Sequence, residues 1–323
     1  MKHLTLKVLR ALSHAEFRSG EALARALGVS RGTIHNALKG LDGLGVQVVG
    51  LRGLGYRLDD APSWLDADRI RAAAGDAAAT IDLRVEASCE STNTELVDLA
   101  RAGAPSGTVV AAELQTRGRG RRGRGWESAL GAALTFSLLW RFERGVAALS
   151  GLSLAVGVAL VRALRGLGAR AVMLKWPNDL VLPAGKLGGI LIEVEGDALG
   201  PSAAVIGIGL NICLSRALRH RIDQPAVDLV DAGTATADRN AILGALLREF
   251  CVALVAFEEG GFHTFRGEWQ AYHAHQDRHV VLLRPDGVRD SGVARGVNDD
   301  GALLLEQGET MRICLAGDVS LRA

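Results

Sequence analysis

Aromatic residues make up only 4% of this 323-residue chain, so aliphatic and small side chains must fill its core. Cysteine is scarce too. Cys89, Cys213, Cys251 and Cys314 lie far apart and form no C-x-x-C pair. That disfavours a zinc ribbon or disulfide scaffold and points to a reducing cytosol. Net charge is nearly absent, with 37 Lys and Arg against 36 Asp and Glu. Long apolar runs are missing as well. One long uncharged stretch, Gly145 to Val161, is seventeen residues, holds three glycines and is closed by Arg144 and Arg162. A bilayer span needs about 20 predominantly apolar residues, so this stretch is expected to be a buried helix of a soluble protein. Met1 to Lys7 shows no signal-peptide core, and secretion is not expected. Glycine is plentiful at 40 residues, and the 48% hydrophobic content suffices for a packed core. The length suggests two or three domains at roughly 100–200 residues each.

The neutral total hides a split. Residues 1–58 carry nine Lys and Arg against three acids, a net of +6; the remainder carries 28 against 33, a net of −5. A basic module on an acidic body is suited to a polyanion, or is simply a solvated surface. Pattern favours the first reading. Leu4, Leu6, Val8, Leu9 and Leu12 mark one helix. Ser19 to Leu27 reads as a second, ended by Gly28, which tolerates positive φ. Ser30 can N-cap a third, Arg31 to about Asp42. This is the spacing of a helix-turn-helix. Ser30, Arg31, Thr33, His35, Asn36 and Lys39 would face the bases of a major groove. Gly45 to Val49 and Tyr56 to Leu58 read as two strands around a glycine-rich tip, a wing that places Arg52 at phosphate. The competing reading is a protein-interaction module. Asp59 to Ser63 reads as a linker, and Trp64 to Ala74 as an Ala-rich helix.

Residues 117–124 read RGRGRRGR, five arginines in eight residues, between a strand at Thr108 to Ala112 and another at Leu134 to Trp140. The letters G-x-G-x-x-G occur from Gly118 to Gly123, but that fingerprint should open a helix, and here a strand follows. Such a loop repels itself and is expected to stay mobile until an anion neutralises it. Further on come KWPND (Lys175 to Asp179), GKLGGI (Gly185 to Ile190) and GIGLN (Gly207 to Asn211). Singly, these are solvated lysines, a turn pair and strand glycines. Together they describe a site for an anionic substrate with one candidate Mg²⁺ ligand, Asp179.

Ser91-Thr92-Asn93, Gln115, GRGRRG with Trp126, KWPND, GKLGGI and GIGLN occur in the order and spacing of biotin–protein ligases. With the winged helix in front, the chain resembles the bifunctional class, biotin ligase and biotin operon repressor in one polypeptide. The resemblance implies an α+β architecture: an N-terminal winged helix-turn-helix (residues 1–60), a central mixed α/β ligase domain with one main sheet (64–275) and a small C-terminal SH3-like β-barrel (276–323). It implies a cytoplasmic enzyme using ATP, Mg²⁺ and biotin, a biotin carboxyl carrier protein as acceptor, and a corepressor-dependent homodimer on biotin operator DNA, with no membrane partner.

By the same resemblance, Lys186, Arg121 and Asp179 are the catalytic candidates. Biotin would be held by Ser91, Thr92, Asn93, Gln115, Arg119, Gly120, Arg121 and Lys186, with Gly207 and Gly209 admitting its flat ring. Nucleotide would meet Arg119, Arg121, Arg122, Trp126, Lys175, Asn178 and Asn211. Thr92-x-x-Glu95 also fits a capping box. One departure stands out: some repressor-type relatives carry an aromatic over the adenine where this chain has Gln224-Pro225-Ala226. Three alternatives remain open: ligase with a non-functional DNA-binding unit, lipoate-type acyl transferase, and a sensor without catalysis.

Overall fold

The computed structural model describes residues 3–39, 41, 45–59, 63–283, 288–315 and 320–322. Asp42, residues 60–62 of the expected linker and the expected turn at Pro285 to Gly287 lie outside them.

Three helices open the chain: α1 (His3–Ala11), α2 (Gly20–Leu27) and α3 (Arg31–Ala37). Ser19 and Ser30 cap the second and third by accepting from Ala22 N and Thr33 N. Gly28 at φ 65° turns the chain between them. α3 ends sooner than the pattern suggested, with Leu38 as its C-cap. The wing strands are β1 (Val48–Leu51) and β2 (Gly55–Leu58), so its tip is shorter and displaced from that expected. Gly55 is required: a Cβ there would lie 2.1 Å from Arg18 O. Leu6, Val8, Leu9, Leu12, Leu23, Ile34 and Leu58 form the unit's core, and Leu114 and Leu130 of the next domain belong to the same cluster.

The central domain runs from α4 (Ala67–Ala74) through β3 (Asp82–Glu86), α5 (Thr92–Arg101), β4 (Thr108–Ala112), β5 (Gly118–Arg119), β6 (Gly125–Trp126), β7 (Ala133–Phe142) and α6 (Leu152–Gly166). It continues with β8 (Met173–Lys175), β9 (Asp179–Leu182), β10 (Gly185–Gly196), β11 (Ser202–Asn211), α7 (Arg216–Arg221), α8 (Arg239–Gly260) and α9 (His263–Tyr272). Its seven-stranded sheet has the order β3-β4-β7-β11-β10-β9-β8, parallel at β3–β4 and antiparallel elsewhere. The uncharged stretch from Gly145 is not one helix. A 3₁₀ turn at Val146–Leu149 breaks at Gly151, φ 77°, before α6 begins. Side chains all round α6 are buried, as a core helix requires. α8 is long and apolar enough to cross a membrane by composition, but it packs on α4 and α6 with most of its surface buried.

The last unit is a five-stranded antiparallel sheet: β12 (His279–Leu283), β13 (Arg289–Val297), β14 (Leu303–Gln307), β15 (Thr310–Cys314) and β16 (Ser320–Arg322), in the order β15-β14-β13-β12-β16. Its apolar face merges with the central core through Val280, Leu282, Val297 and Leu303. Trp176 Nε1 donates to Gly301 O at 3.0 Å, tying this unit to the KWPND turn.

Candidate ligand cavity and DNA-facing helix

The cavity sits where α5, the β5–β6 hairpin, the β9–β10 hairpin and the middle of β11 converge, and its volume is about 430 Å³. That is ample for a small ligand. Ser91, Thr92, Asn93, Gln115, Arg119, Gly120, Arg121, Arg122, Trp126, Lys175, Asn178, Asp179, Lys186, Gly207, Gly209 and Asn211 all stand on its wall.

The start of α5 forms one end. Ser91 is the N-cap residue without a side-chain cap bond, and Thr92 is already helical. The expected capping box does not form there, because Thr92 Oγ1 donates to Gln115 Oε1 at 3.1 Å. Thr92 N donates to the same oxygen at 2.7 Å. Asn93 Nδ2 donates to Leu191 O at 3.2 Å and to Glu193 Oε2 at 2.8 Å. Ser137, buried in β7, lies 2.8 Å from Thr92 Oγ1 and donates to Asn93 Oδ1 at 2.6 Å. Gly207 and Gly209 have neighbours within the protein. A Cβ on Gly207 would lie 1.9 Å from Asn93 Oδ1, and one on Gly209 would lie 2.6 Å from the Trp126 indole. Trp126 Nε1 is buried without a partner among the described residues, a donor that a ligand acceptor would satisfy.

The arginine-rich segment is a folded part of the cavity wall. It forms a two-stranded hairpin whose tip bends through Arg122, φ 60°, and Gly123, φ 71°. Protein groups receive several of its cations. Arg119 pairs with Glu193 at 2.6 Å, and Arg117 with Glu90 at 3.6 Å. Arg121 Nη1 donates to Asn178 Oδ1 at 3.2 Å. Asn178 is itself held by Ile190, through Nδ2 to Ile190 O at 2.7 Å and Ile190 N to Asn178 O at 2.9 Å. Glu193 lies on β10, while Glu90 precedes α5 and Asn178 precedes β9.

Lys186 and Asp179 face each other across the β9–β10 hairpin, Nζ to Oδ1 at 2.7 Å, each about one-fifth exposed. The register slips between Lys186 and Gly188, which sets Gly189 opposite Asp179. A Cβ on Gly189 would meet Lys186 Nζ at 3.3 Å and Asp179 Oδ1 at 3.5 Å. The bare glycine leaves the amine room to lie across the strands. Asn211 is a brace: its Nδ2 donates to Val227 O at 2.9 Å. Burial first, then Glu95 and Glu86, push the Cys89 thiol up to about 12, so this cysteine beside Gln115 is no nucleophile.

Sequence reasoning passed over Ser137, Glu193, Glu127 and Arg221. Only Ser137 had a visible signal, a hydroxyl inside the apolar run Leu134 to Trp140.

On the front unit, Arg31, His35, Asn36, Lys39 and Arg52 are exposed. Ser30 and Thr33 are engaged with each other in the cap, Oγ to Oγ1 at 2.8 Å. His35 Nδ1 lies 3.3 Å from Tyr56 Oη, joining α3 to the wing.

A cationic cavity in a mixed-sheet core, fronted by a winged helix, is the layout of a carboxylate-activating ligase joined to a DNA-binding unit. Comparison with known proteins narrows the class. Residues 85–211 match the biotin/lipoate A/B protein ligase family, residues 5–57 an HTH domain, and residues 275–322 the biotin protein ligase C-terminal domain. The chain is 39% identical over 319 residues to the bifunctional ligase/repressor BirA of Salmonella typhimurium, covering 98% of this chain and 97% of that one. It is 36% identical over 242 residues to the biotin–[acetyl-CoA-carboxylase] ligase of Mycobacterium tuberculosis, covering 73% and 88%. Its fold matches the biotin protein ligase of Aquifex aeolicus, solved with biotin and ATP, at TM-score 0.64 and 29% identity over 75% of this chain and 98% of that one. The chain belongs to the biotin protein ligase family.

Proposed function

We propose that this single cavity performs both halves of biotin transfer, with Lys186 as its electrostatic centre. The chain is an ATP-dependent biotin–protein ligase and a biotin-responsive repressor. In the first half-reaction a biotin carboxylate oxygen attacks the α-phosphorus of ATP. The bond to the β-phosphate breaks, and pyrophosphate leaves. In the second, a neutral lysine amine of the carrier protein attacks the acyl carbon, the bond to AMP breaks, and the amine loses a proton.

Two anions must meet in the first step. Lys186, Arg119, Arg121 and Arg122 supply positive charge where negative charge accumulates on the α-phosphate. Asp179 orients the Lys186 amine, and Asn178 orients Arg121. Thr92, Asn93 and Gln115, cross-braced by Ser137, form the biotin end. Trp126, Lys175 and Asn211 belong to the nucleotide end. The chain gathers no group of three His, Cys, Asp or Glu among its described residues. A Mg²⁺ that keeps its waters and rides on the phosphates needs only one protein carboxylate. Asp179, whose Oδ1 already accepts from Lys186, would be that carboxylate, and no step here depends on it.

The assigned division is a DNA-binding unit at 1–60, a catalytic domain at 64–275 and a β-module at 276–323, in a cytoplasmic protein. Arg31, His35, Asn36, Lys39 and Arg52 would meet biotin operator DNA as a homodimer, since a two-fold operator requires a two-fold protein. The observation that carries the reading is the Lys186–Asp179 contact on a wall shared with three arginines. Labelled biotin should pass to a carrier domain with ATP, while lipoate should not; product with lipoate alone would defeat it. A gel shift strengthened by biotin with Mg-ATP distinguishes a working repressor from a ligase whose DNA-binding unit is idle.

A further inference from the structure

The last residue of α7, Arg221, and the chain behind it, Ile222 to Gln224 and Ala226, line the cavity. Residues 212–232 contain no Phe, Tyr or Trp, and His220, the one aromatic ring among them, is not on the cavity wall. The wall is well anchored at its foot. The buried carboxylate of Asp228 accepts from Leu214 N at 2.7 Å and Arg219 Nη2 at 2.6 Å. Arg219 also reaches Ala226 O at 3.0 Å and Asp231 at 2.8 Å. Leu214 and Leu218 pack on Ala129 and Ala132. From this foot Arg221, the last residue of α7, crosses to Glu127 at 2.6 Å. Glu127 directly follows Trp126, so the pair joins two separate segments that line one cavity.

We propose that Arg221 and Glu127 form a latch that sets how long the acyl-adenylate stays bound, in the absence of an aromatic cover. They are positioning residues: each acts on the intermediate by holding one lining segment against the other. The proposal rests on the ligase reading above, because the intermediate must form here before it can be retained. Both side chains are about half exposed, and such a pair is weak and screened by salt. That suits an intermediate which must be shielded from water but remain reachable by an incoming amine.

The test is a chase of pre-formed biotinyl-adenylate from the full-length protein at low and high salt. The variants are Glu127→Gln, Arg221→Gln and the reversed pair Glu127→Arg with Arg221→Glu. Each single change should speed release about two- to fivefold, the scale of a half-exposed pair. The reversed pair should return the rate toward the parent, and salt should accelerate the parent more than the single variants. A pyrophosphate burst measured alongside reports formation separately. No burst from the parent would remove the ligase reading. A normal burst with unchanged release, or faster release that the reversed pair does not correct, would overturn the latch.

Discussion

Arg10, on the first helix of the DNA-binding unit, donates to the carboxylate of Glu113 at 2.9 Å, two residues before Gln115 in the ligand cavity. Glu113 is 0% exposed at its side chain, takes Leu65 N at 2.7 Å on the same oxygen, and binds the equally buried Arg239 with the other. Leu114 and Leu130, either side of the arginine hairpin, sit in the hydrophobic core of the front unit. The front unit is thus built onto both roots of the segment that carries the cavity's arginines.

Removing Glu113 should therefore damage more than one contact. Glu113→Ala leaves Arg239 buried without its counter-charge, a loss of about 3–5 kcal/mol. Arg10→Ala should lose about 1 kcal/mol or less, because Arg10 is partly solvated. Urea denaturation of both variants checks the ranking; equal losses would contradict it.

Lys186→Ala should slow adenylate formation about 10²- to 10³-fold, the usual cost of removing one donor to a developing oxyanion. Melting temperature should hardly move, since the side chain lies on the cavity wall. Pyrophosphate release at saturating biotin and ATP gives the rate. A variant that kept its turnover would leave Lys186 without a catalytic role.

Arg121→Gly removes a cation and its bond to Asn178. Charge-assisted bonds are worth about 1.5–3 kcal/mol each, so adenylate should leave roughly ten- to a hundredfold faster. An off-rate equal to the parent's would show that the hairpin arginine does not hold the intermediate.

Gly207→Ala places a methyl group where Asn93 Oδ1 lies. Overpacking of this kind costs about 1–3 kcal/mol, and here it displaces Asn93, a residue proposed to hold biotin. KM for biotin should rise, with KM for ATP little changed. Calorimetric titration with biotin measures it directly, and unaltered affinity would place Asn93 away from the ligand.

Acid should destabilise the protein through two histidines at the end of α9. Burial, then neighbouring His275, lowers His273 from 6.5 to about 4. Burial, then Lys175 and Arg278, lowers His275 to about 4 as well. Between pH 6.5 and 4 the unfolded chain binds protons that the folded chain refuses. Stability should fall across that window and level off below it, by about 1–3 kcal/mol for His273 and less for the half-buried His275. Melts from pH 7 to 4 should show a flatter decline for His273→Phe, which keeps the stack on Trp269; parallel curves would assign the loss elsewhere.

Local rules made much of this molecule legible. Ser19, Gly28 and Ser30 place the turn of the front unit through capping and positive φ, and alternating strands with turns announce the terminal sheet. They were misleading where long-range packing competes with propensity. The stretch from Gly145 reads as one helix but breaks at Gly151, where a Cβ would strike Phe262. Thr92-x-x-Glu95 reads as a capping box, but Gln115 takes the Thr92 hydroxyl.

The chain's covalent order alone determined which cations and amides are present, and that they lie on strand ends and turns, because period, caps and glycines act over a few residues. Tertiary structure decided which acid each cation meets. Arg119 with Glu193, Arg221 with Glu127 and Arg10 with Glu113 are 74, 94 and 103 positions apart. Such pairs follow from sheet order and helix packing, which bring distant charges together at separations no local pattern encodes.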